Sequence, residues 1–305
     1  MRIVVTGGPG QLVLSLIERG AARDAGGSFE VIAVGPPELD LSAPDDDRIY
    51  AVLAAERPDV IVNAAAHTAV DKAESERELA FAINAEGAGA VARAAARCGV
   101  PLVHVSTDYV FSGDKSAPYT EADAPAPTGV YGASKLAGEQ AVLASGADAA
   151  ILRTAWVYSP FGANFVKTML RLAETRDELG VVADQRGNPT SALDLADAVL
   201  TVAANLKADA APEMRGIFHA TGSGEASWAD FAQAIFAASS AQHGPSAKVK
   251  SITTAQYPTP ARRPANSRLD CSLLAHIHGV RLPDWRDSTD AVVARLVHET
   301  FAGAK

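Results

Sequence analysis

The sequence predicts an α/β fold in which a doubly wound parallel sheet is followed by a smaller, mixed α/β C-terminal domain. Apolar strand-like runs alternate several times with helix-like segments, which is the pattern of a parallel sheet covered by helices. The first run leads directly into a glycine-rich turn and then a helix-like segment. Of the 305 residues, 48% are hydrophobic and 21% are charged, as in an ordinary globular protein.

The first predicted strand, residues 2–6, is followed by Gly7-Gly8-Pro9-Gly10 and by a predicted helix from residue 11 to about 25. Glycines permit a tight turn and let backbone N–H groups approach a pyrophosphate at a helix N-terminus. This context predicts a Rossmann-type dinucleotide site. Val13 stands where a third glycine usually allows close helix–strand packing, so we expect this helix to shift slightly outward. The predicted cofactor contacts here are Gly7, Gly10, Gln11 and Leu12.

The second predicted strand, residues 31–34, ends at Gly35. A site selective for NAD usually has an acidic residue here for the ribose 2′-hydroxyl, and one selective for NADP has an arginine nearby. Gly35 offers neither, so the choice between NADH and NADPH is open. We predict that Asp40 and Leu41 contact the adenine side. An equally good interpretation makes these two residues, with Ser42, a loop and helix cap.

The third predicted strand, residues 59–63, is followed by small residues. Small side chains at the carboxyl end of a strand leave room for a cofactor across the sheet edge. The predicted contacts here are Ala64, Ala65, Ala66 and Thr68.

The stretch from residue 103 to 138 carries the predicted chemistry. A strand ends in Ser106-Thr107-Asp108-Tyr109, and a helix begins near Tyr131. Tyr131 and Lys135 are four residues apart, so they share one face of that helix. An ammonium beside a phenol favours phenolate, which predicts a pKa below the usual value of about 10 and a role as general acid or base. We expect the Thr107 hydroxyl to reach the same point.

The character of the sequence changes near residue 158. We predict a dinucleotide-binding domain over residues 1–158, completed by a segment near 185–215, and a mainly substrate-binding domain over 159–305. The proline-rich loop 257–269 contains Arg262, Arg263 and Arg268. Three arginines on a stiff loop suit bidentate recognition of phosphate, and the alternative is a solvated basic loop.

Composition excludes several classes of partner. A net charge of −9 argues against broad binding to nucleic acid or to an anionic membrane. No run reaches the roughly 20 apolar residues of a membrane span. The two cysteines, Cys98 and Cys271, have no metal-ligand spacing, and the N-terminus enters a strand without a signal peptide. A cytoplasmic location is expected.

The glycine turn, the strand ending in Ser106-Thr107 and the Tyr131-x-x-x-Lys135 pair, in this order, resemble the extended short-chain dehydrogenase/reductases. The match becomes narrower over residues 63–74, 106–111, 130–139, 184–190 and 257–269, which resemble the dTDP-4-dehydrorhamnose reductase family. This resemblance extends over almost the whole chain, to residue 285. It implies NADPH- or NADH-dependent reduction of the 4-keto group of dTDP-4-dehydro-β-L-rhamnose, the last step of dTDP-L-rhamnose synthesis.

The resemblance also implies roles for individual residues. Tyr131 would give a proton to the developing alkoxide, Lys135 would hold the nicotinamide ribose and tune Tyr131, and Thr107 would polarise the carbonyl. The residues expected to lie against the sugar are Asp108, Tyr109 and Trp156, although Trp156 could instead belong to the core. The arginines expected to bind the dTDP pyrophosphate are Arg262, Arg263 and Arg268.

The chain also departs from this family. Some members bridge two subunits through magnesium held by glutamates, and the aligned positions here are Ser15, Leu193 and Arg295. Since magnesium prefers carboxylate oxygens, we expect no metal site and a monomer or weak homodimer.

Two other functions are open. One is a related epimerase or dehydratase that returns the hydride, which Asp108 does not exclude. The other is a non-catalytic regulatory subunit, which Val13 mildly favours and an intact Thr107, Tyr131 and Lys135 disfavour.

Overall fold

The computed structural model describes residues 1–24 and 29–301, so the predicted helix end near Ala25 lies outside the described residues. Within them, the strands are β1 Arg2–Thr6, β2 Glu30–Val34, β3 Val60–Asn63, β4 Leu102–Thr107, β5 Ala149–Thr154, β6 Val157–Tyr158, β7 Glu178–Val182, β8 Arg186–Gly187, β9 Thr190–Ser191, β10 Gly216–His219, β11 Ala226–Ser227 and β12 Lys248–Ile252. The α-helices are α1 Gln11–Asp24, α2 Asp46–Ala55, α3 Val70–Ala73, α4 Arg77–Phe81, α5 Ala88–Cys98, α6 Val130–Ala144, α7 Phe165–Ala173, α8 Ala192–Ala208, α9 Trp228–Ala241, α10 Ser272–His278 and α11 Trp285–Phe301.

Six strands form one parallel sheet in the order β2-β1-β3-β4-β5-β10. From β1 the chain passes outward to β2 and then returns to β3 on the opposite side of β1. Doubly wound sheets bind ligands outside the carboxyl ends of their strands, at the point where the strand order reverses. The loops after β1 and β3 therefore flank the expected ligand site, and the predicted doubly wound parallel sheet is confirmed.

Both faces of this sheet are covered by helices. Alternate side chains of a strand face opposite sides, so Ile3 and Val5 pack with α1 and α8 while Val4 packs with α2 and α5. All three residues are fully buried. Burial on both faces explains why the strands have continuous apolar sequences without polar alternation.

The C-terminal part of the chain builds a separate core. Helices α7, α9 and α11 pack with the parallel pair β7–β12 around Phe231 and Trp285, which are 0% and 1% exposed. Segment 192–219 instead returns to the central sheet, where α8 covers one face and β10 pairs with β5. The boundary near residue 158 remains a prediction.

The helical region before strand β4 is interrupted. A π-helical turn at Ala82–Gly87 separates α4 from α5, and the charged segment after residue 69 contains the short helix α3. Asn84 in the π turn bonds both backbone polar groups of His67 and donates to Ser134 Oγ (3.0 Å). Such turns are frequent at functional sites, and this one contacts the helix that carries Tyr131.

Candidate active site

A cleft of about 760 Å³ opens at the carboxyl ends of β1, β3, β4 and β5. It is lined by residues 7–13, 64–66, 68, 70, 105–109, 131, 135, 154–157, 162–164 and 195. The predicted catalytic residues and most of the predicted cofactor and sugar contacts therefore share one cavity. Asp40, Leu41 and the three arginines of loop 257–269 do not line it.

Two glycines of α6 allow that helix to pack against its neighbours at backbone distance. A Cβ at Gly132 would lie 2.1 Å from the Tyr109 carbonyl oxygen, and one at Gly138 would lie 2.0 Å from the Asn84 carbonyl oxygen. Contacts this short exclude any side chain at either position. The two glycines therefore bring Tyr131 and Lys135 to the end of β4.

The electrostatics of Tyr131 differ from the sequence-based expectation. Burial raises the pKa of this phenol above its ordinary value, against the opposite effect of the nearby Thr107 hydroxyl. The Lys135 ammonium donates to the Val105 carbonyl (2.7 Å). Burial lowers the pKa of Lys135 to about 8. The prediction that Lys135 lowers the pKa of Tyr131 is wrong for this arrangement, because burial dominates and the ammonium is engaged with the backbone.

Thr107 lies where β4 ends and is joined to the residues that follow it. Its hydroxyl donates to Asp108 Oδ1 (2.9 Å) and accepts from the Tyr109 N–H (3.2 Å). Asp108 is 2% exposed, and burial raises the pKa of its carboxyl to about 6. The Tyr109 ring meets the Tyr131 ring edge to face at 5.5 Å. The strand end thus holds a hydroxyl, a carboxyl and two phenols together.

Trp156 lines the cleft and has an unusual backbone conformation. Its φ of 46° is in the left-handed region, which is uncommon for a residue with a large side chain. The indole stacks on Trp228 at 3.6 Å, and a Cβ at Gly187 would lie 2.5 Å from it. Strain of this kind persists where the surroundings impose it, often at functional sites. The indole is therefore held in place, and it lines the cleft rather than the core alone.

The glycine turn fits a dinucleotide pyrophosphate. Gly7 has a φ of 128°, and a Cβ at Gly8 would enter open space. The first N–H groups of an α-helix have no intrahelical acceptor, and residues 11–13 of α1 line the cleft. Val13 is 3% exposed and packs in the core against the Gly7 side of the turn, so it fills space without blocking it.

The Gln11 side chain connects the glycine turn to residues 157–164. Its Oε1 accepts from Ser159 Oγ and from Asn164 Nδ2, both at 3.0 Å. Its Nε2 donates to the Val157 carbonyl (3.4 Å). These hydrogen bonds hold the glycine turn and the loop before α7 together.

The packing at the end of β2 explains why position 35 has no acidic or basic side chain that could select between NADH and NADPH. A Cβ at Gly35 would lie 2.8 Å from the carbonyl carbon and oxygen of Gly7, so no side chain fits there. Asp40 is exposed and accepts from the Ser42 N–H (2.8 Å), while Leu41 is 5% exposed in the core. The cation that reaches this loop is Arg48, whose Nη2 donates to the carbonyls of Pro37 (3.2 Å) and Glu38 (3.4 Å). Sequence reasoning missed Arg48 because it lies on α2, and only the folded path of the intervening loop brings its side chain to the carbonyls of Pro37 and Glu38.

The three arginines of loop 257–269 have different environments. Arg268 is engaged by Glu225 Oε2 (2.7 Å), by Asn266 Oδ1 (2.8 Å) and by the Ser116 carbonyl. Arg262 is exposed, and no hydrogen bond or ion pair joins it to the residues that the structure describes.

Arg263 lies beside Asp71 and Tyr109, and Tyr109 lines the cleft. Its Nη2 donates to Asp71 Oδ2 (2.8 Å), and Asp71 Oδ1 also accepts from the Ala261 N–H (3.1 Å). Arg263 also acts on Tyr109: it lowers the pKa of that phenol against burial, which raises it to about 12. Asp71 therefore anchors the arginine loop to the short helix α3.

The positions aligned with the magnesium-binding glutamates of some relatives carry other interactions. Ser15 is fully buried and donates to the Gln11 carbonyl (2.8 Å). Arg295 bonds both carboxylate oxygens of Glu18 at 2.8 and 2.9 Å and so joins α11 to α1. Over residues 1–24 and 29–301, no group of three His, Cys, Asp or Glu side chains is arranged to hold a metal ion. In the same residues, none of the helices is long and apolar enough to cross a membrane.

The chain is similar to known proteins over nearly its full length. A family model described as the RmlD substrate binding domain matches residues 1–298. A protein of Sinorhizobium fredii named dTDP-4-dehydrorhamnose reductase is 50% identical over 299 residues, which cover 98% of this chain and 99% of that protein. A crystal structure of a dTDP-4-dehydrorhamnose reductase from Clostridium acetobutylicum superposes with a TM-score of 0.87 at 40% identity, covering 97% and 99% of the two chains.

A further solved structure contains the cofactor. It is a dTDP-4-dehydrorhamnose reductase from Bacillus anthracis in complex with NADP, with a TM-score of 0.87 and 35% identity over 96% of this chain and 99% of that one. Identity of this extent over whole chains, together with the cleft described above, establishes the family. The chain belongs to the dTDP-4-dehydrorhamnose reductase family of NAD(P)H-dependent oxidoreductases, within the extended short-chain dehydrogenase/reductases.

Proposed function

We propose that this chain uses NADPH or NADH to reduce the 4-keto group of dTDP-4-dehydro-β-L-rhamnose to dTDP-L-rhamnose. The observation that carries the proposal is one cleft with a glycine turn at one end and Thr107, Tyr131 and Lys135 at the other. The names of the relatives, at up to 50% identity, supply the sugar nucleotide.

The cofactor would lie along the carboxyl ends of β1 and β3, and its reduced nicotinamide would supply the hydride. The residues proposed to hold it are Gly7, Gly10, Gln11, Leu12, Ala64, Ala65, Ala66, Thr68, Tyr131 and Lys135. The buried Lys135 ammonium is suited to the hydroxyls of the nicotinamide ribose. Asp40 and Leu41 lie outside the cleft lining, so any contact to the adenine would come from the exposed Asp40 turn or from backbone atoms.

Tyr131 acts as the proton donor in this mechanism. Reduction requires an acid that is protonated at neutral pH, and the raised pKa of the Tyr131 phenol meets that requirement. Thr107, whose hydroxyl lies beside Tyr131, would turn its proton from Asp108 to the same carbonyl oxygen as negative charge develops on it. The pair stabilises the alkoxide in the transition state more than the ketone in the ground state.

The residues proposed to bind the substrate lie around Thr107 and Tyr131. Asp108, Tyr109 and Trp156 line the cleft beside Tyr131 and are proposed to hold the sugar. Asp108 is the single carboxylate among the described residues of the lining, which favours a reductase over a dehydratase with additional acid–base carboxylates. The packing of Val13 in the core removes the feature that mildly favoured a regulatory subunit.

Arg263 is the proposed anion-binding arginine of loop 257–269. Asp71 holds one of its terminal nitrogens, and the other, Nη1, is buried without a hydrogen-bond partner among the described residues. A guanidinium that is oriented by one carboxylate and still has an unpaired terminal nitrogen is suited to binding a phosphate oxygen. Arg268 is engaged by other groups, and Arg262 would contribute only from the surface.

A cytoplasmic location and a monomeric or weakly dimeric state are also proposed. Cys98 and Cys271 are both free thiols, as expected for a reducing compartment. Arg295 on α11 pairs with Glu18 of the same chain, where some relatives have a metal-binding carboxylate. Light scattering with and without magnesium tests the second point: a dimer that forms only with the metal would contradict it.

One assay tests the proposed reaction. NADPH and NADH are supplied in parallel with dTDP-4-dehydro-β-L-rhamnose, and both cofactor oxidation and the sugar product are measured. We expect one equivalent of cofactor to be oxidised for each dTDP-L-rhamnose formed. A product that forms without net oxidation of cofactor would indicate an epimerase or dehydratase, and binding without turnover would indicate a regulatory subunit.

A further inference from the structure

Thr154 is a cleft residue that sequence reasoning did not single out. It ends β5 and stands in register with Thr107 of β4. Register partners on parallel strands direct their side chains to the same face of the sheet. Thr154 is 6% exposed and lines the cleft, and its Oγ1 is buried with no hydrogen-bond partner among the described residues.

Three other hydroxyls at this edge of the sheet donate hydrogen bonds to protein groups. Thr6, at the end of β1, donates to Asn63 Oδ1 (2.7 Å). Thr107 donates to Asp108, and Ser106 donates to Glu139 Oε1 (2.6 Å). Thr154 thus differs from these three neighbouring residues, whose hydroxyls are paired.

An unpaired buried hydroxyl reduces the stability of a protein, because it has lost its hydrogen bonds to water without replacing them. A valine has nearly the same shape and would avoid this loss. The hydroxyl of Thr154 therefore needs a reason outside the free protein, and the cleft that this residue lines offers one.

We propose that Thr154 is a ligand-binding residue whose hydroxyl forms a hydrogen bond with a polar group of a reactant lying over the end of β5. Two groups have the required chemistry, the carboxamide of the nicotinamide and an oxygen of the sugar ring or its substituents. The inference rests on the proposed function for the identity of these reactants. Thr154 moves no proton in this proposal; it orients a reactant beside Thr107 and Tyr131.

The test is Thr154→Val, with Thr154→Ser as the conservative variant. The valine variant keeps the shape and loses the hydroxyl, so we expect an unchanged or higher melting temperature together with binding of one reactant weakened about tenfold. The serine variant should restore most of that binding.

Thr190→Val is the matched control. Thr190 is fully buried, and its hydroxyl donates to the Asn188 carbonyl (3.1 Å) and accepts from the Gly222 N–H (3.1 Å). Its loss leaves two partners unsatisfied, so we expect a lower melting temperature with unchanged cofactor affinity.

Two measurements separate the sources of the bond. The Kd of NADP⁺, measured by fluorescence on the enzyme alone, rises if Thr154 binds the carboxamide. The KM of the keto sugar rises with an unchanged Kd for NADP⁺ if Thr154 binds the sugar. The proposal is overturned if neither value changes, or if Thr154→Val lowers the melting temperature as Thr190→Val does. Failure of the proposed reaction would appear separately, as absence of turnover in the wild type.

Discussion

The two ends of the cleft differ in how firmly the protein holds them. At the reaction end, Lys135 and Asp108 are each 2% exposed, and two glycines press α6 against its neighbours. Beyond the other end, where the adenosine is proposed to bind, Asp40 lies exposed on a loop and Arg48 lies exposed on the first turn of α2. Chemistry requires fixed positions and a controlled environment for protons, whereas holding one ribose requires only a complementary surface. We therefore expect substitutions at the reaction end to have larger effects.

The largest effect is expected for Tyr131→Phe. Removing the proton donor should lower kcat by about 10³-fold, because general acid catalysis contributes roughly 10²–10⁴-fold. The Kd of NADP⁺ should change by no more than about twofold, since the ring remains. Steady-state kinetics and fluorescence titration measure the two values, with the exposed Tyr257→Phe as control. Turnover near that of the wild type would contradict the assignment of Tyr131.

Asp108→Asn tests the environment of the reaction end through pH. The pKa of the Asp108 carboxyl is about 6 in the folded protein and 3.8 in the reference state, so the folded state holds the proton more tightly. Wild-type stability relative to the variant should therefore be highest below pH 4 and fall by roughly 3 kcal/mol as the pH rises through 6. Urea unfolding at several pH values measures this. Parallel curves for the two proteins would mean that the carboxyl is not perturbed.

Gly35→Ala probes the backbone contact at the adenosine end. The added Cβ would lie 2.8 Å from Gly7, so the glycine turn must move, at a cost of about 1–3 kcal/mol in stability. We expect weaker binding of both NADPH and NADH, measured by titration. Gly180→Ala is the control, because a Cβ there would make only ordinary contacts at 3.5 Å. Equal behaviour of the two variants would show that the Gly35–Gly7 contact is not required.

The smallest effect is expected for Arg48→Ala. Its guanidinium lies over the carbonyls of Pro37 and Glu38, where the 2′-phosphate of NADPH would approach, and an exposed charge contributes modestly. We expect affinity for NADPH to fall about threefold relative to NADH, and the difference to shrink at high salt. The exposed Arg176→Ala is the control. An unchanged preference between the cofactors would remove Arg48 from the cofactor site.

Much of the site followed from local sequence. The spacing of Tyr131 and Lys135 on a helix, and of Thr107 at a strand end, depends only on helix and strand geometry. The electrostatics did not follow in the same way. The pKa of Tyr131 depends on burial and on where the Lys135 ammonium points, and both result from the packing of α6 against β4 and the π-helical turn. Thr154 escaped notice because its significance lies in a missing hydrogen-bond partner. The pairing of Asp71 with Arg263 could not be foreseen because the two residues are 192 positions apart in the chain.

The sequence by itself determined the parallel sheet and its helices and predicted the groups proposed to react, because apolar periodicity and short motifs act over a few residues. The tertiary structure decided the pairing of Arg263 with Asp71, the exclusion of any side chain at Gly35 and the unpaired hydroxyl of Thr154. Each of these depends on distances between segments that are far apart in the chain. Such distances are set by how the layers pack, and no local pattern contains them.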